Sequence, residues 1–232
     1  MKLPVYSAEG EEIAEFGVDG ARLGGSVNRD VLRQSVVAYE ANQRAGTAKA
    51  QTRGEVTSSN VKMRGQKHTG RARAGARSNP LWRGGGVIHG PRPRDYSQKL
   101  NRKMRRIALR SALLAKMRDG EVKVLERLEF GEPKTREMVR ILRRMNVERS
   151  FLLVLAEPSD AVWRSARNIP GSAVLTGREL NPYQVVRAQQ VIFTRDALDA
   201  VLASLVASAE EPGQEPAEAP DGQAETPTVE GQ

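Results

Sequence analysis

Apolar residues along this chain follow two periods and lose both over a long middle stretch. Lys2 to Ser7 and Glu11 to Phe16 alternate in part around Gly10, which predicts a small hairpin or edge strands packed on the body. Asn28 is a good N-cap, and Val31, Leu32, Val36 and Tyr39 then recur at helical spacing, predicting a helix near 29–44 with Gly46 as its stop. After Gly46 the periodicity vanishes until Ser97, which is far longer than a connection inside a compact domain. It returns with Leu100, Met104, Ile107, Ser111 and Leu114 on one face of a helix that begins at Ser97 and ends near Gly120. Strand and helix then alternate. The strands are Val122 to Leu125, Phe151 to Leu155, Ala173 to Thr176 and Gln190 to Phe193, and the second and fourth are apolar runs of the kind buried on both faces. Between them lie helices at Thr135 to Met145, at Ser159 to Arg167, and at a short segment opened by Asn181 and Pro182. A last helix follows Thr194, with Leu198, Val201, Leu202 and Leu205 inward. Repeated β-α units of this length predict an α/β fold, a mostly parallel sheet covered by helices on both faces.

At 232 residues and 39% hydrophobic content the chain suits one globular domain, over 1–208, interrupted by an extended loop at 46–97. Residues 209–232 are Glu, Pro, Gly, Ala and Gln with little to bury, and are expected to form a disordered acidic tail. The opening residues meet acids before any apolar run of signal-peptide length, and no later run suits a membrane span, so the expectation is a cytoplasmic protein.

Charge sharpens the division. The formal net charge is +9, yet residues 41–110 hold 18 Lys and Arg against Glu55 and Asp95, the tail holds seven acids and no base, and the remainder balances 19 against 19. Positive charge concentrated in one segment, where a merely basic protein would spread it, points to an element built for a polyanion. Seven glycines and three prolines between Asn60 and Tyr96 rule out a helix or a central strand there, so the segment is expected to fold against RNA. The candidate RNA-binding residues are Arg44 just before the loop, Lys49, Arg53, Lys62, Arg64, Lys67, Arg71, Arg73, Arg77, Arg83, Arg92 and Arg94 in the loop, and Lys99, Arg102, Lys103 and Arg106 in the onward helix. Trp82 and Tyr96 are candidates to stack on unpaired bases, and Trp82 equally suits a wedge at the base of the loop.

Catalysis finds no support. GQKHTGR (Gly65–Arg71) lacks the Gly-Lys-Ser/Thr ending and the preceding strand of a nucleotide-binding loop, and Gly84 to Gly86 lacks the dinucleotide pattern. His68 and His89 have no acids near them to orient a general base or to complete a metal shell, and the chain has no cysteine. The expectation is a non-enzyme without cofactor, metal or small-molecule substrate. A nuclease would need an ordered cluster of acids or histidines. A free RNA-binding regulator of transcription or translation is the alternative.

Four stretches carry a resemblance: VVAYEANQRAGTAKAQTRGEV (Val36–Val56), GQKHTGRARAG (Gly65–Gly75), SNPLWRGGGV (Ser78–Val87) and PRDYSQKLNRKMRRIALRSAL (Pro93–Leu113). In this order they resemble the bacterial form of the large-subunit ribosomal protein four family. The resemblance implies a Rossmann-like α/β body on the outer face of the large subunit, with a loop that threads 23S rRNA. It places the loop tip, lining the nascent-peptide exit tunnel, at Gly65, Gln66, Lys67, His68, Thr69 and Gly70. It implies as partners 23S rRNA, neighbouring large-subunit proteins and the nascent polypeptide, with the protein a monomer within the ribosome. The family usually carries Gly where this chain has His68, so an imidazole here adds a polar contact to rRNA or narrows the tunnel.

Overall fold

Every residue of Phe151–Leu155 is buried, and Phe151, Leu153 and Leu155 of this strand belong to one hydrophobic core cluster. The computed structural model describes residues 1–128, 130–147 and 149–207; the acidic tail expected at 209–232 lies outside them. The chain divides into two compact units, one made of Met1–Val27 with the chain from Arg110 onward, the other of Asn28–Leu109.

The first unit carries a six-stranded sheet. Its strands are β1 (Lys2–Tyr6), β2 (Glu12–Gly17), β3 (Val122–Leu125), β4 (Phe151–Leu155), β5 (Ser172–Thr176) and β6 (Gln190–Thr194), in the order β2-β1-β3-β6-β4-β5. Only the β1/β2 pair is antiparallel; β1/β3, β3/β6, β6/β4 and β4/β5 are parallel. The two N-terminal strands form the expected hairpin, closed by Ser7 N–H donating to the Glu11 carbonyl at 2.7 Å, and they join the main sheet at β3. β6, last in the chain, lies between β3 and β4, paired as Val122 with Val191 and Phe151 with Gln190.

Among the described residues four α-helices belong wholly to this unit, beside a single 3-10 turn at Gly20–Leu23. Helix α3 (Thr135–Arg144) buries Met138, Ile141 and Leu142, and α4 (Asp160–Ala166) buries Val162 and Ala166. Both pack with Phe151, Leu153, Leu155 and Ile192 into one core cluster. Side chains alternate along a strand, so Leu152 and Val154, equally buried, face the other side. There α6 (Arg195–Ala207) runs against β3, β4 and β6 with Ala197, Leu198, Val201 and Leu205 buried. Helix α5 (Pro182–Arg187) starts as expected: Asn181 Oδ1 accepts from Gln184 N–H at 2.9 Å, with Pro182 in the first turn. A buried lysine ties β3 to α3. Lys123 Nζ donates to the Met145 and Asn146 carbonyls at the end of that helix, and burial lowers its pKa. The ammonium satisfies carbonyls that a helix end leaves unpaired and sits at the negative end of the helix dipole.

Two helices differ from expectation. Helix α1 (Arg29–Asn42) is capped by Asn28 Oδ1 on Val31 N–H at 3.1 Å, but it ends at Asn42 before reaching Gly46, and its buried residues are Ser35 and Ala38. Helix α2 (Arg102–Arg118) starts five residues after Ser97. Its buried face is Ala108, Ser111, Ala112, Leu113, Leu114 and Met117, while Ile107 is 41% exposed. Large apolar residues mark one possible stripe, and small ones such as Ala108 and Ala112 mark another; close approach to a neighbour decides between them.

Candidate nucleic-acid interface

Residues 43–101, all in the second unit, form neither helix nor strand. They are not shapeless. Two limbs run antiparallel: Arg94 N–H donates to the Gly46 carbonyl at 3.2 Å, Ala50 N–H to Pro91 at 2.9 Å, Val87 N–H to Gln51 at 2.9 Å, and Met63 N–H to Gly75 at 3.3 Å. Residues 64–74 lie beyond the last of these pairs and form the tip.

The base of the excursion is clamped. Asn42 Oδ1 accepts from Gln98 N–H at 2.7 Å, and its Nδ2 donates to the Gln98 carbonyl at 3.2 Å. Gly46 has φ +63°, and a Cβ there would sit 2.1 Å from the Arg94 carbonyl oxygen, so the expected helix stop instead serves the crossing of the limbs. The Arg44 guanidinium lies 3.9 Å and that of Arg94 4.5 Å from the Tyr96 ring centroid. A hydrogen bond from Arg94, together with the charges of Arg94 and Arg44, lowers the Tyr96 pKa. The ring expected to stack on a base is engaged by two arginines of its own chain. Asp95 fixes the turn that follows, accepting from Ser97 N–H at 2.8 Å.

Farther out, 76–87 wraps into a compact turn. Gly86 N–H donates to the Ser78 carbonyl at 3.0 Å, Ser78 is buried, and a Cβ on Gly86 would lie 2.3 Å from the Arg53 nitrogen. Only a glycine admits the opposite limb there. Along 81–88, Leu81 is 88%, Ile88 65%, Val87 50% and Trp82 38% exposed, so four apolar side chains stand in solvent. An exposed apolar group amid cations suits a partner that offers both phosphate and base surface.

The cations themselves are exposed, except Arg64 and Arg106, which are half-buried. Residues 28–109 carry 19 Lys and Arg against Asp30, Glu40, Glu55 and Asp95. One of the expected phosphate contacts is spent internally: Lys49 Nζ lies 3.0 Å from Glu55, whose carboxylate also accepts from Thr52 N–H at 3.0 Å. That backbone bond first, and Lys49 second, hold the Glu55 pKa below the usual range. Arg53, Lys62 and Arg73 line one concavity of about 350 Å³ with Asn60 and Gln66 and no carboxylate. Lys62 also donates to Gln66, which turns that lysine toward the tip. His68 has φ +64°, a left-handed conformation that costs a non-glycine residue about 1–2 kcal/mol. The position at which the resembled family usually carries Gly is one where the backbone favours it.

A charge count that begins at residue 41 misses Arg29 and Arg33, both exposed on α1 within the same unit. Their signal was the i, i+4 spacing of two arginines on a helix that precedes a basic loop.

A sequence model of the ribosomal protein L4/L1 family matches residues 18–203. The chain is 46% identical to the large ribosomal subunit protein uL4 of Pelotomaculum thermopropionicum, over 84% of this chain and 94% of that relative. It is 43% identical to the uL4 of Symbiobacterium thermophilum, over 85% of this chain and 95% of the relative. Against the uL4 of Carboxydothermus hydrogenoformans the identity is 44%, over 85% and 96%. The match spans both units, the α/β body and the basic excursion alike, and the chain belongs to the ribosomal protein L4/L1 family.

Proposed function

We propose that this protein is a structural constituent of the large ribosomal subunit that binds 23S rRNA early in assembly through the excursion at 46–97, whose tip helps to line the nascent-peptide exit tunnel. The relatives named above are large-ribosomal-subunit proteins, which supports the assembly. The observation that carries the RNA contact is the concentration of exposed cations in 28–109, where Glu55 is already neutralised by Lys49 and Asp95 is bound to Ser97.

The physics suits RNA more than a compact protein partner. Limbs of about 25 residues each span at most about 80 Å when extended, enough to enter folded RNA. Arginines on irregular backbone can follow a phosphate path that no rigid helix face would track, and the exposed Trp82 offers a surface for an unstacked base. Lys67 and His68 are exposed between Gly65 and Gly70, and the small residues on either side suit a tip placed beside a tunnel. Neighbouring large-subunit proteins and the nascent chain are the further partners, and the protein acts as a single copy per ribosome in the cytoplasm.

Cosedimentation in high salt tests the assembly: one copy per large subunit is expected to remain, whereas a free regulator of messenger RNA would wash off. Crosslinking from Lys67 or His68 in intact ribosomes tests the tip. Products with both 23S rRNA and a nascent chain are expected; products with neither would move the tip away from the tunnel.

A further inference from the structure

Residues 209–232 lie beyond the part of the chain that matches the family, and they carry seven acids, from Glu210 to Glu230, with no Lys or Arg. They are outside the described residues, but the body fixes where they start. Helix α6 ends at Ala207, and the Arg110 guanidinium of α2 donates to the Leu205 carbonyl in its last turn. The acidic segment therefore leaves the body beside α2.

Upstream of Arg110 the same helix carries Arg102, Lys103, Arg105 and Arg106, with no acid in its first turn. Arg102, Lys103 and Arg105 are exposed, and among the described residues none of the three pairs with an acid. Helix physics disfavours this arrangement. The dipole opposes cations at an N-terminus, and Arg102 with Arg106, like Arg106 with Arg110, is a like-charged i, i+4 pair. Five residues of helix, about 7.5 Å, separate Arg105 from Arg110. Glu210 and Glu211 follow Leu205 closely enough that the chain between them spans at most about 20 Å, so the first acids can reach these cations and the later ones can extend over them. We propose that the acidic segment 209–232 lies across the cationic first half of α2 in the free protein and yields that face to rRNA on assembly. It acts as a tethered polyanion that holds nonspecific RNA off until the correct strand displaces it. Tethering presents the acids at an effective concentration on the order of millimolar, which a separate acidic partner would not match. The inference rests on the rRNA-binding reading above for what displaces the segment, and on charge and chain path for the docking itself.

Carbodiimide crosslinking of the free full chain, read by mass spectrometry, tests the docking without RNA. An amide between Lys103 and an acid of 209–232 is expected, and it should disappear when a 23S rRNA transcript is added. In parallel, the full chain, a chain ending at Ser208, and a full-length variant with all seven acids changed to their amides are titrated with poly(U) and with the transcript. If the segment covers α2 in about nine of ten molecules, both variants bind poly(U) about tenfold more tightly than the full chain at low salt. That difference shrinks as salt rises and screens the charges. Unchanged far-UV circular dichroism and an unchanged unfolding midpoint verify the fold of both variants. Equal poly(U) affinity in all three proteins, with the transcript still bound, makes the segment a solvated tail and overturns the inference while the rRNA reading stands. A crosslink confined to Lys62 or Lys67 of the loop, or one to Lys103 that persists with the transcript bound, also overturns it. If none of the three binds the transcript, the rRNA reading itself fails and takes the inference with it.

Discussion

The two units of this chain use their residues in opposite ways. In the body, β4 buries all five of its side chains and the sheet is covered on both faces, so the chain supplies its own packing partners. In the excursion, Leu81, Ile88 and Trp82 stand exposed, hydrogen bonds join the limbs at intervals, and a cationic surface lacks matching acids. The first unit supplies its own packing partners, and the second presents exposed apolar and cationic side chains. On the proposed function, stability and RNA contact are separable: substitutions in the sheet core should lower the stability of the body, and substitutions of the loop cations should weaken rRNA binding while leaving the body standing.

The largest expected effect breaks this comparison from the side of the body. Leu153→Ala in the sheet core should cost about 2–5 kcal/mol of unfolding free energy, measured by denaturant titration, because the site is fully buried. The loop variant K67Q/R71Q/R73Q should change that free energy by less than about 0.5 kcal/mol. A loop variant that destabilises the body as much as Leu153→Ala would show the two regions to be one cooperative system.

Gly46→Ala comes next. A Cβ would collide with the Arg94 carbonyl and the residue would keep φ +63°, so the clamp at the base should open at a cost of about 1–3 kcal/mol. The expected readout is faster limited proteolysis between 47 and 93 with an unchanged body midpoint. Equal protease resistance would mean that the clamp does not order the limbs.

His68→Gly should act in the other direction and more weakly. Relief of the left-handed backbone at φ +64° is worth about 1 kcal/mol, seen as rRNA binding up to about fivefold tighter if the bound tip keeps this geometry. Weaker binding by the variant would show that the imidazole makes a contact larger than the strain.

The smallest effect is local and concerns pH. Arg94 and Arg44 favour the Tyr96 phenolate, so the phenol should titrate below its usual value of 10.0, followed by ultraviolet absorbance. The sign follows from linkage: a group whose folded pKa is depressed loses its proton in the folded chain first, so its contribution to folding grows as pH rises through that interval. Arg94→Gln should move the titration upward, and an unmoved curve would dissociate Arg94 from the ring.

Much of the body was legible beforehand because its cues are local. The apolar run Phe151–Leu155 and the strand Val122–Leu125 form at the expected bounds, and Asn28 and Asn181 cap the helices they precede. The excursion was legible only by its lack of period and its charge. The pairing of Gly46 with Arg94, of Gln51 with Val87, and of Asn42 with Gln98 joins residues far apart in the chain, and no local pattern announces it. The α2 face is only partly legible for a related reason: Ser111 and Leu114 are buried as the period predicts, but Ala108 and Ala112 take the place of the exposed Ile107, because apolar side chains of different size lie on adjacent stripes and the neighbour chooses.

What the amino-acid order determined by itself was therefore the succession of β-α units, the segregation of positive charge into 41–110, and the absence of any self-sufficient core there. Those depend on periodicity and composition, which act through neighbours in the chain. Only the tertiary structure decided that β6 enters the sheet between β3 and β4, that Lys123 turns inward to close α3, that Tyr96 is held by Arg44 and Arg94, and that Lys49 is neutralised by Glu55. Each of those rests on contacts between distant segments, where geometry selects one pairing among many that the sequence alone allows.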